Sequence, residues 1–458
     1  MGESTAEVVI CGAGMAGVAA AWHLTTRAGI RDVVLVEEGA PLSLTSDKST
    51  ECYRNWWPGP GDAMVALANR SIDLMERLAD ASDNRFRMNR RGYLFATADP
   101  ARVGDLEAAA REAESLGAGA LRVHPAGGAG AYRPAPAHGF AGQPDGADLL
   151  LDRPTIRRTF PCLSPDTVAV LHARRCGWVS AQQLGMLLLE EARAAGARLV
   201  RGRMTAIDTT GGRVRGATVE TEAGAVRLST GTIVDAAGPF ARQVAGLAGV
   251  DLPIHCEGHL KLSVPDGLGA VDRHAPLLLW ADPVALPWSD DEREALAAEP
   301  EARFLLEPFP AGVHGRPDGE GNTVLLYWTY HTEPGEPVFP MREDPWLPEI
   351  LVRGMSAMVP GLRGYLGRLP RGYVDGGYYA RTRENRPLVG PTPVEGFHLS
   401  CAYSGFGIMM AMAGGELLAA HVTGGELPHY APAFRLARYD DPDYRALLER
   451  WPSGDGQL

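Results

Sequence analysis

No apolar run in this chain approaches the roughly 20 residues that a membrane-spanning helix needs, so no membrane span is expected. Basic residues do not dominate either. Lys and Arg total 44 against 56 Asp and Glu, a formal charge of −12, which argues against a nucleic-acid partner or an anionic membrane surface. The six cysteines (Cys11, Cys52, Cys162, Cys176, Cys256, Cys401) are scattered without a C-x-x-C pair. Neither a disulfide framework nor a zinc site fits that spacing, no metal ligands are assigned, and reduced thiols point to a cytoplasmic protein. The start, "MGESTAEVVICG", is acidic and enters an apolar strand at once, without the basic region and cleavage site of a signal peptide. No repeat of fixed period is present.

What is present suits a soluble globular protein, at 45% hydrophobic and 22% charged residues. A chain of 458 residues predicts two domains or three small ones. Residues 8–24 and 33–37 read as strand–helix–strand, and 63–80 as an amphipathic helix. A further helix covers 181–196, with strands near 198–207 and 213–220. Strand-rich segments follow in 259–264, 276–280 and 323–330, and a last strand–turn–helix occupies 397–422. Residues 117–147 read as a loop with little regular structure. Residues 282–322 read as irregular apart from one short helix, opened by a capping box of Ser289 and Glu292. Nucleotide-type segments thus occur at the start, middle and end of the chain, with sheet-rich segments between them. The pattern predicts an α/β protein of two interleaved domains.

"VVICGAGMAGVAAAWHL" (8–24) is a strand, then Gly12-x-Gly14-x-x-Gly17, then a helix. Gly12 permits the tight turn, Gly14 lets a pyrophosphate reach the backbone, and Gly17 lets helix and strand pack closely. Ala13, Met15 and Ala16 complete a turn that presents the helix N-terminus to phosphates. The next strand ends at Glu37, twenty residues past Gly17, with Glu38 beside it. An acidic residue there is placed to bond ribose hydroxyls and repels a 2′-phosphate, so the adenosine belongs to FAD or NAD, not NADP.

"TSDKSTECYRNWWPGPG" (45–61) raises a separate question, because a surface turn needs no paired indoles beside a guanidinium. Three further segments bear on it. "RCGWVSAQQLGMLLLEEARAAGARLV", "GTIVDAAGPFARQVAGLAGVDLPI" and "RTRENRPLVGPTPVEGFHLSCAYSGFGIMMAMAGGELLAAHVTGGELP" follow the N-terminal fingerprint in order. With it they resemble the D-amino-acid-oxidase superfamily of flavoproteins, in particular its sarcosine oxidase, glycine oxidase and amino-acid dehydrogenase branch. Residues 85–160 and 282–322 carry little resemblance.

The resemblance implies FAD, in a doubly wound Rossmann-type domain interleaved with a mixed, largely antiparallel sheet that roofs the flavin. It assigns residues 1–84, 165–250 and 376–430 to the FAD domain, 85–164 and 251–375 to the substrate domain, and 431–458 to a tail. It places Ala237 and Gly238 against the nucleotide. Gly405, Phe406, Gly407 and Ile408 open a helix whose amides face the flavin, where they can stabilise charge developing on reduction. It implies oxidation of the C–N bond of an amino acid or a secondary or tertiary amine. Hydride passes to the flavin, the imine hydrolyses, and oxygen or another acceptor takes the electrons. An alcohol substrate, as in glycerol-phosphate dehydrogenases, and a non-catalytic electron-relay subunit are the alternatives.

Within this resemblance, 45–61 crosses the flavin ring and enters the substrate pocket. Ser46, Ser49 and Thr50 are the expected flavin or pyrophosphate contacts, Arg54 the anchor of a substrate carboxylate, and Trp56 and Trp57 the pocket walls. Glu51 stands where sarcosine oxidases hold an arginine beside the flavin. Met409 or Met410 stands where they hold a lysine. His274 is the nearest positional match to the lysine that assists oxygen, and so joins Arg54 and Glu51 as a candidate for catalysis. His259, His255 and Lys261 either line the pocket or face solvent. "GDA" at 61–63 resembles a flavin-monooxygenase motif that belongs far later in a chain, and is read as coincidence. The FAD is expected to be non-covalent. The stretch "GGYYARTREN" (376–385) offers no cysteine, and 45–61 no histidine.

Overall fold

The computed structural model describes residues 2–127, 132–330 and 332–451. Val8–Cys11, Val33–Glu37 and Ile233–Asp235 are short, rich in β-branched residues and almost wholly buried, as strands covered on both faces must be. They form the middle of a six-stranded sheet. Its order is Arg198–Arg201, Val33–Glu37, Val8–Cys11, Ile233–Asp235, Phe397–Cys401 and Leu388–Pro391, and only the last pair is antiparallel. The helix Met15–Trp22 packs on both Ala181–Ala194 and Gly407–Thr423, and Ala63–Ala81 packs on the latter. Close approach there depends on Gly415. A methyl group at that position would lie 2.8 Å from the backbone of Ala19.

A second, ten-stranded sheet is largely antiparallel. Its long strand His255–Pro265 pairs with Tyr373–Arg381 on one side and with Thr323–Tyr327 and Pro334–Gly335 on the other. His314–Asp318, Leu277–Trp280, Tyr93–Thr97, Ala169–Ala173, Ala147–Leu150 and Leu121–His124 continue it. Gly2–Thr5, Gly224–Ser229, Arg213–Thr221 and Arg203–Thr210 make a small separate sheet, and Cys52–Arg54 pairs with Cys176–Trp178. The architecture is the α/β one expected, a doubly wound sheet interleaved with a mixed sheet.

Several expectations are corrected. Ala169–Ala173 lies inside the 165–250 range given to the nucleotide half, yet it pairs with Tyr93–Thr97 and Ala147–Leu150 in the larger sheet. Tyr373–Arg381 likewise begins before residue 376. The 117–147 segment is not all loop, since Leu121–His124 forms an edge strand whose neighbour is Ala147–Leu150. Residues 128–131 of it lie outside the described residues. The 282–322 segment holds the helix Asp290–Ala298 with its Ser289–Glu292 capping box, but also the strand His314–Asp318. Alternation is faint in that strand because Gly315 and Pro317 interrupt it. The described part of 431–458 docks on the body, where Arg438 is buried against Glu384 at 2.8 Å. Residues 452–458 lie outside the described residues.

Candidate active site

A cavity of about 780 Å³ opens along the carboxyl ends of the parallel strands, at the top end of the size range of cofactor clefts. Gly12, Gly14, Met15, Ala16, Glu37, Glu38, Ser46, Ser49, Ala237, Gly238, Gly405, Gly407 and Ile408 all line it. The glycine turn is built as its spacing requires. Gly12 has φ +103°, and a methyl group on it would meet the Ala236 carbonyl oxygen at 2.5 Å, while one on Gly17 would collide with the Gly12 carbonyl. Gly17 and the buried Ala13 therefore lie under the turn and not on the cavity wall. At Gly14 the nearest atom to such a methyl is the Ser46 hydroxyl, 3.3 Å away, so bulk there would project into the cavity mouth.

Glu37 accepts hydrogen bonds from the Ala13 N–H (2.8 Å) and the Gly39 N–H (3.0 Å), which fix its carboxylate at one end of the cavity. Ser46 reaches from the crossing loop to accept the Met15 N–H at 2.9 Å, so that loop is tied directly to the helix N-terminus. At the other end stand Tyr378, Tyr379 and the turn before the helix Gly407–Thr423.

A much smaller cavity shares Ser49, Tyr379, Gly405 and Ile408 with the first. Its remaining wall is Thr50, Glu51, Cys52, Arg54, Tyr93, Leu277, His314, Tyr327, Phe406 and Met409. Arg54 is buried at the end of the short strand Cys52–Arg54. Its guanidinium lies over the Trp57 ring, 4.3 Å from the centroid, and 5.9 Å from that of Phe406. Thr50 and Phe406 thus face this smaller space instead of the large one. Met409 does line it, and Met410 is core.

Three expectations change here. Trp56 and Trp57 line neither cavity. Trp57 packs edge-on against Phe406 behind Arg54, and Trp56 lies by Phe95, each on the core side of the crossing loop. His274 is a surface residue, its side chain 70% exposed and near His138, so it is remote from the chemistry. A polar loop carries it away from the strand Leu277–Trp280. His259 is buried but stands one layer back, stacked on Tyr379 at 4.0 Å and bonded through Nδ1 to the Tyr327 hydroxyl at 2.6 Å. Lys261 lies nearby, 3.9 Å from Asp375.

Glu51 does line the small cavity, with φ +61°. Its carboxylate accepts the Ala181 N–H at 2.9 Å and is 3.2 Å from Arg316. Burial pushes its pKa up, and the Arg316 charge opposes that shift. Arg316, 1% exposed, also donates to the Thr50 carbonyl at 3.0 Å and to Asp318 at 2.8 Å. It therefore brings a buried cation to the crossing loop from the 282–322 segment, where no motif announced it. His314 is the other residue missed. Its Nδ1 bonds the Gly312 carbonyl at 2.8 Å, and burial lowers its pKa to about 4, which keeps the ring neutral.

The fold and the glycine-lined cleft define a dinucleotide-binding protein. The profile of the FAD dependent oxidoreductase family (DAO) matches residues 7–421, and the chain belongs to that family. No curated protein sequence matches it. Among solved structures, it is similar to L-proline dehydrogenase from P. horikoshii at 17% identity and TM-score 0.71, covering 96% of this chain and 99% of that one. Glycine oxidase from Geobacillus kaustophilus gives 18% and 0.71, with 96% and 99% covered. Iminodiacetate oxidase from Chelativorans sp. BNC1 gives 18% and 0.67, with 94% and 98% covered. Identities this low show a shared fold. Among the described residues no helix is long and apolar enough to cross a membrane, and none group as a metal site.

Proposed function

We propose that this FAD-dependent oxidoreductase oxidises the C–N bond of a small amino acid or of a secondary or tertiary amine that carries a carboxylate. The observation that supports this reading is the buried Arg54 on the wall of a small aromatic cavity that adjoins the dinucleotide cleft.

Gly12, Gly14, Met15, Ala16, Glu37 and Ser46 would hold the adenosine and pyrophosphate, with Ala13 and Gly17 shaping the turn from beneath. The turn Gly405–Ile408 would meet the flavin end. When bound, FAD supplies the two-electron acceptor. The protein's part is to bind and orient. A guanidinium grips a carboxylate through two parallel hydrogen bonds, and the aromatic faces of Trp57 and Phe406 hold that guanidinium in place. Tyr93, Tyr327, Tyr379, Leu277 and Met409 exclude water from the donor carbon. Among the described residues of this small cavity, Arg54 is the one permanent cation. A dianionic phosphate calls for a basic cluster, so an alcohol phosphate suits the cavity less well.

An anaerobic panel of amino acids and amines tests the reading, since only a substrate bleaches the flavin. Arg54→Ala, assayed with a bleaching acid and its methyl ester, is expected to weaken the acid by roughly ten- to a hundred-fold and the ester much less. Arg54→Lys should recover only part of the loss, because an ammonium lacks the planar fork. Equal discrimination by wild type and Arg54→Ala would remove the carboxylate from the proposal.

A further inference from the structure

The segment "HCEGHLK" places His255, Glu257, His259 and Lys261 on one face of the long strand His255–Pro265, since alternate residues of a strand share a face. Glu257, His259 and Lys261 are all buried, and burying titratable groups in a row is costly unless they bond one another. Of the first three, His255 and Glu257 are hydrogen-bonded, while His259 faces Glu257 at ion-pair distance. The Tyr327 hydroxyl, on the wall of the small cavity, meets His259 Nδ1 at 2.6 Å and also accepts the Thr329 hydroxyl at 3.1 Å. His259 Nε2 lies 3.5 Å from a Glu257 oxygen. The other Glu257 oxygen lies 3.1 Å from His255 Nε2, and the His255 side chain is 38% exposed. The row therefore runs from the cavity wall to solvent.

We propose that Tyr327, backed by His259 and Glu257, is the proton acceptor for the substrate ammonium. This rests on the amine reading above. An ammonium has no lone pair on nitrogen to support hydride loss from the adjacent carbon, so one N–H proton must leave first. That proton passes to the Tyr327 oxygen while the Tyr327 hydroxyl proton passes to His259 Nδ1. The amine becomes neutral, tyrosine is restored, and His259 becomes an imidazolium facing the Glu257 carboxylate. The Glu257 carboxylate stabilises that imidazolium, which returns its proton through Tyr327 to water once the imine has left the cavity. Tyr327 is the group that meets substrate; His259 and Glu257 are positioning residues.

The electrostatics agree with these roles. Burial lowers the His259 pKa, so the ring starts neutral, while the Glu257 charge opposes that shift and favours the imidazolium once the proton arrives. Glu257 is held ionised, its pKa lowered to about 2 against burial by His259, Arg381 and His255. The charged and titratable groups facing His259 are Glu257, His255 and Lys261 on its own strand, Arg381 and Tyr379 on Tyr373–Arg381, and Tyr327 on Thr323–Tyr327. His314 also faces the cavity and packs on the Tyr327 ring, 4.9 Å between centroids, but its Nδ1 is engaged by the Gly312 carbonyl and not by this row.

The test is anaerobic stopped-flow reduction of the holoenzyme by a primary or secondary amine that bleaches it, from pH 6 to 10. Wild type, Tyr327→Phe and His259→Asn are compared, with His314→Gln as a control. At pH 7 the first two variants should reduce about a hundred-fold more slowly, within the usual range for general acid–base catalysis. The deficit should close toward pH 10, where the amine arrives already neutral. His314→Gln should not show that closing deficit. FAD content should stay at the wild-type level in all three. A deficit equal at every pH means lost packing and overturns the relay, as does no deficit. If a variant does not fold, wild type decides alone. Its reduction should slow in D2O at pH 7 and lose that sensitivity by pH 10, and a pH-independent isotope effect overturns the proposal. A wild type that no amine bleaches refutes the amine reading itself, and the relay with it.

Discussion

The two cavities meet at Tyr379 and the Gly405 turn, yet they are made in opposite ways. The large one is lined mostly by three short chain segments, at 11–16, 36–49 and 236–247, with the turn at 400–408 closing it. Much of its recognition surface is backbone, shaped by glycines whose absent side chains leave the space. The small cavity is a ring of side chains gathered from residues 49–54, 93, 277, 314, 327, 379 and 405–409. A backbone site is encoded by local spacing. A side-chain site is encoded by which strands become neighbours, and no short window of sequence states that.

The sharpest way to break this comparison is at Gly14. Gly14→Val puts a branched side chain at the mouth where pyrophosphate must approach, with the Ser46 hydroxyl already 3.3 Å from the first added carbon. The purified variant is expected to be colourless while wild type is yellow. A full flavin complement in Gly14→Val would show that the cleft does not bind by backbone approach. Acid precipitation of wild type should then release all the colour. Cys11 and Cys401 line the cleft, but burial raises both thiols' pKa values well above the usual range and keeps them protonated, poor nucleophiles toward a flavin. Colour retained by the pellet would mean a covalent link.

Arg316 is the next largest expected effect, and it probes the side-chain half. Arg316→Met strips the buried cation from Glu51 and from the Thr50 carbonyl, and breaking a buried pair typically costs about 3–5 kcal/mol. The pH dependence has a definite sign. Burial already raises the Glu51 pKa above its unfolded value, and loss of Arg316 raises it further. The folded variant then holds a proton that the unfolded chain releases, so its stability falls as pH rises through that folded pKa. Thermal melts of wild type and variant should lie closest at about pH 4 and diverge toward pH 8. A constant gap would mean that Glu51 is not the group Arg316 serves.

The same division explains what the sequence disclosed. The glycine turn and Glu37 were legible because each is a local pattern with a mechanical cause, whereas the Ala236–Gly238 strand end and the Gly405–Ile408 turn were placed by resemblance. Arg54 was legible only through resemblance, and its neighbours were misjudged in direction. The indoles lie behind it because Trp57 must pack on Phe406 and the helix Gly407–Thr423. His274 was assigned by its place before "APLLLW", which fixes position along the chain but not on which side of the sheet the loop emerges. Arg316 and His314 sit on a strand that Gly315 and Pro317 disguise, and its pairing with Thr323–Tyr327 and Leu277–Trp280 brings them to the site. For His255, His259 and Lys261 the sequence left open whether they line the pocket or face solvent, because Tyr327, their link to the cavity, comes from another strand.

The smallest expected effect concerns Trp57, which separates a wall from a support. A wall residue touches substrate, so trimming it should change the affinity of any ligand that fills the space. A support reaches substrate only through Arg54, so its loss should register solely in ligands that use the guanidinium. The geometry makes Trp57 a support, with Arg54 stacked on its face at 4.3 Å and no share in the cavity lining. A desolvated cation–π contact of this kind is worth about 2 kcal/mol, or roughly thirtyfold in affinity. Phenylalanine keeps part of that face, so Trp57→Phe should weaken a carboxylate substrate by no more than this factor. It should leave the methyl ester unchanged. Combined with Arg54→Ala, it should have little further effect on the acid, because Trp57's other contact with the cavity wall, edge-on to Phe406, is one that phenylalanine can keep. Should acid and ester weaken alike, or the double variant lose much more than Arg54→Ala, Trp57 would have to meet substrate directly, and the pocket would extend past the ring of side chains that now bounds it.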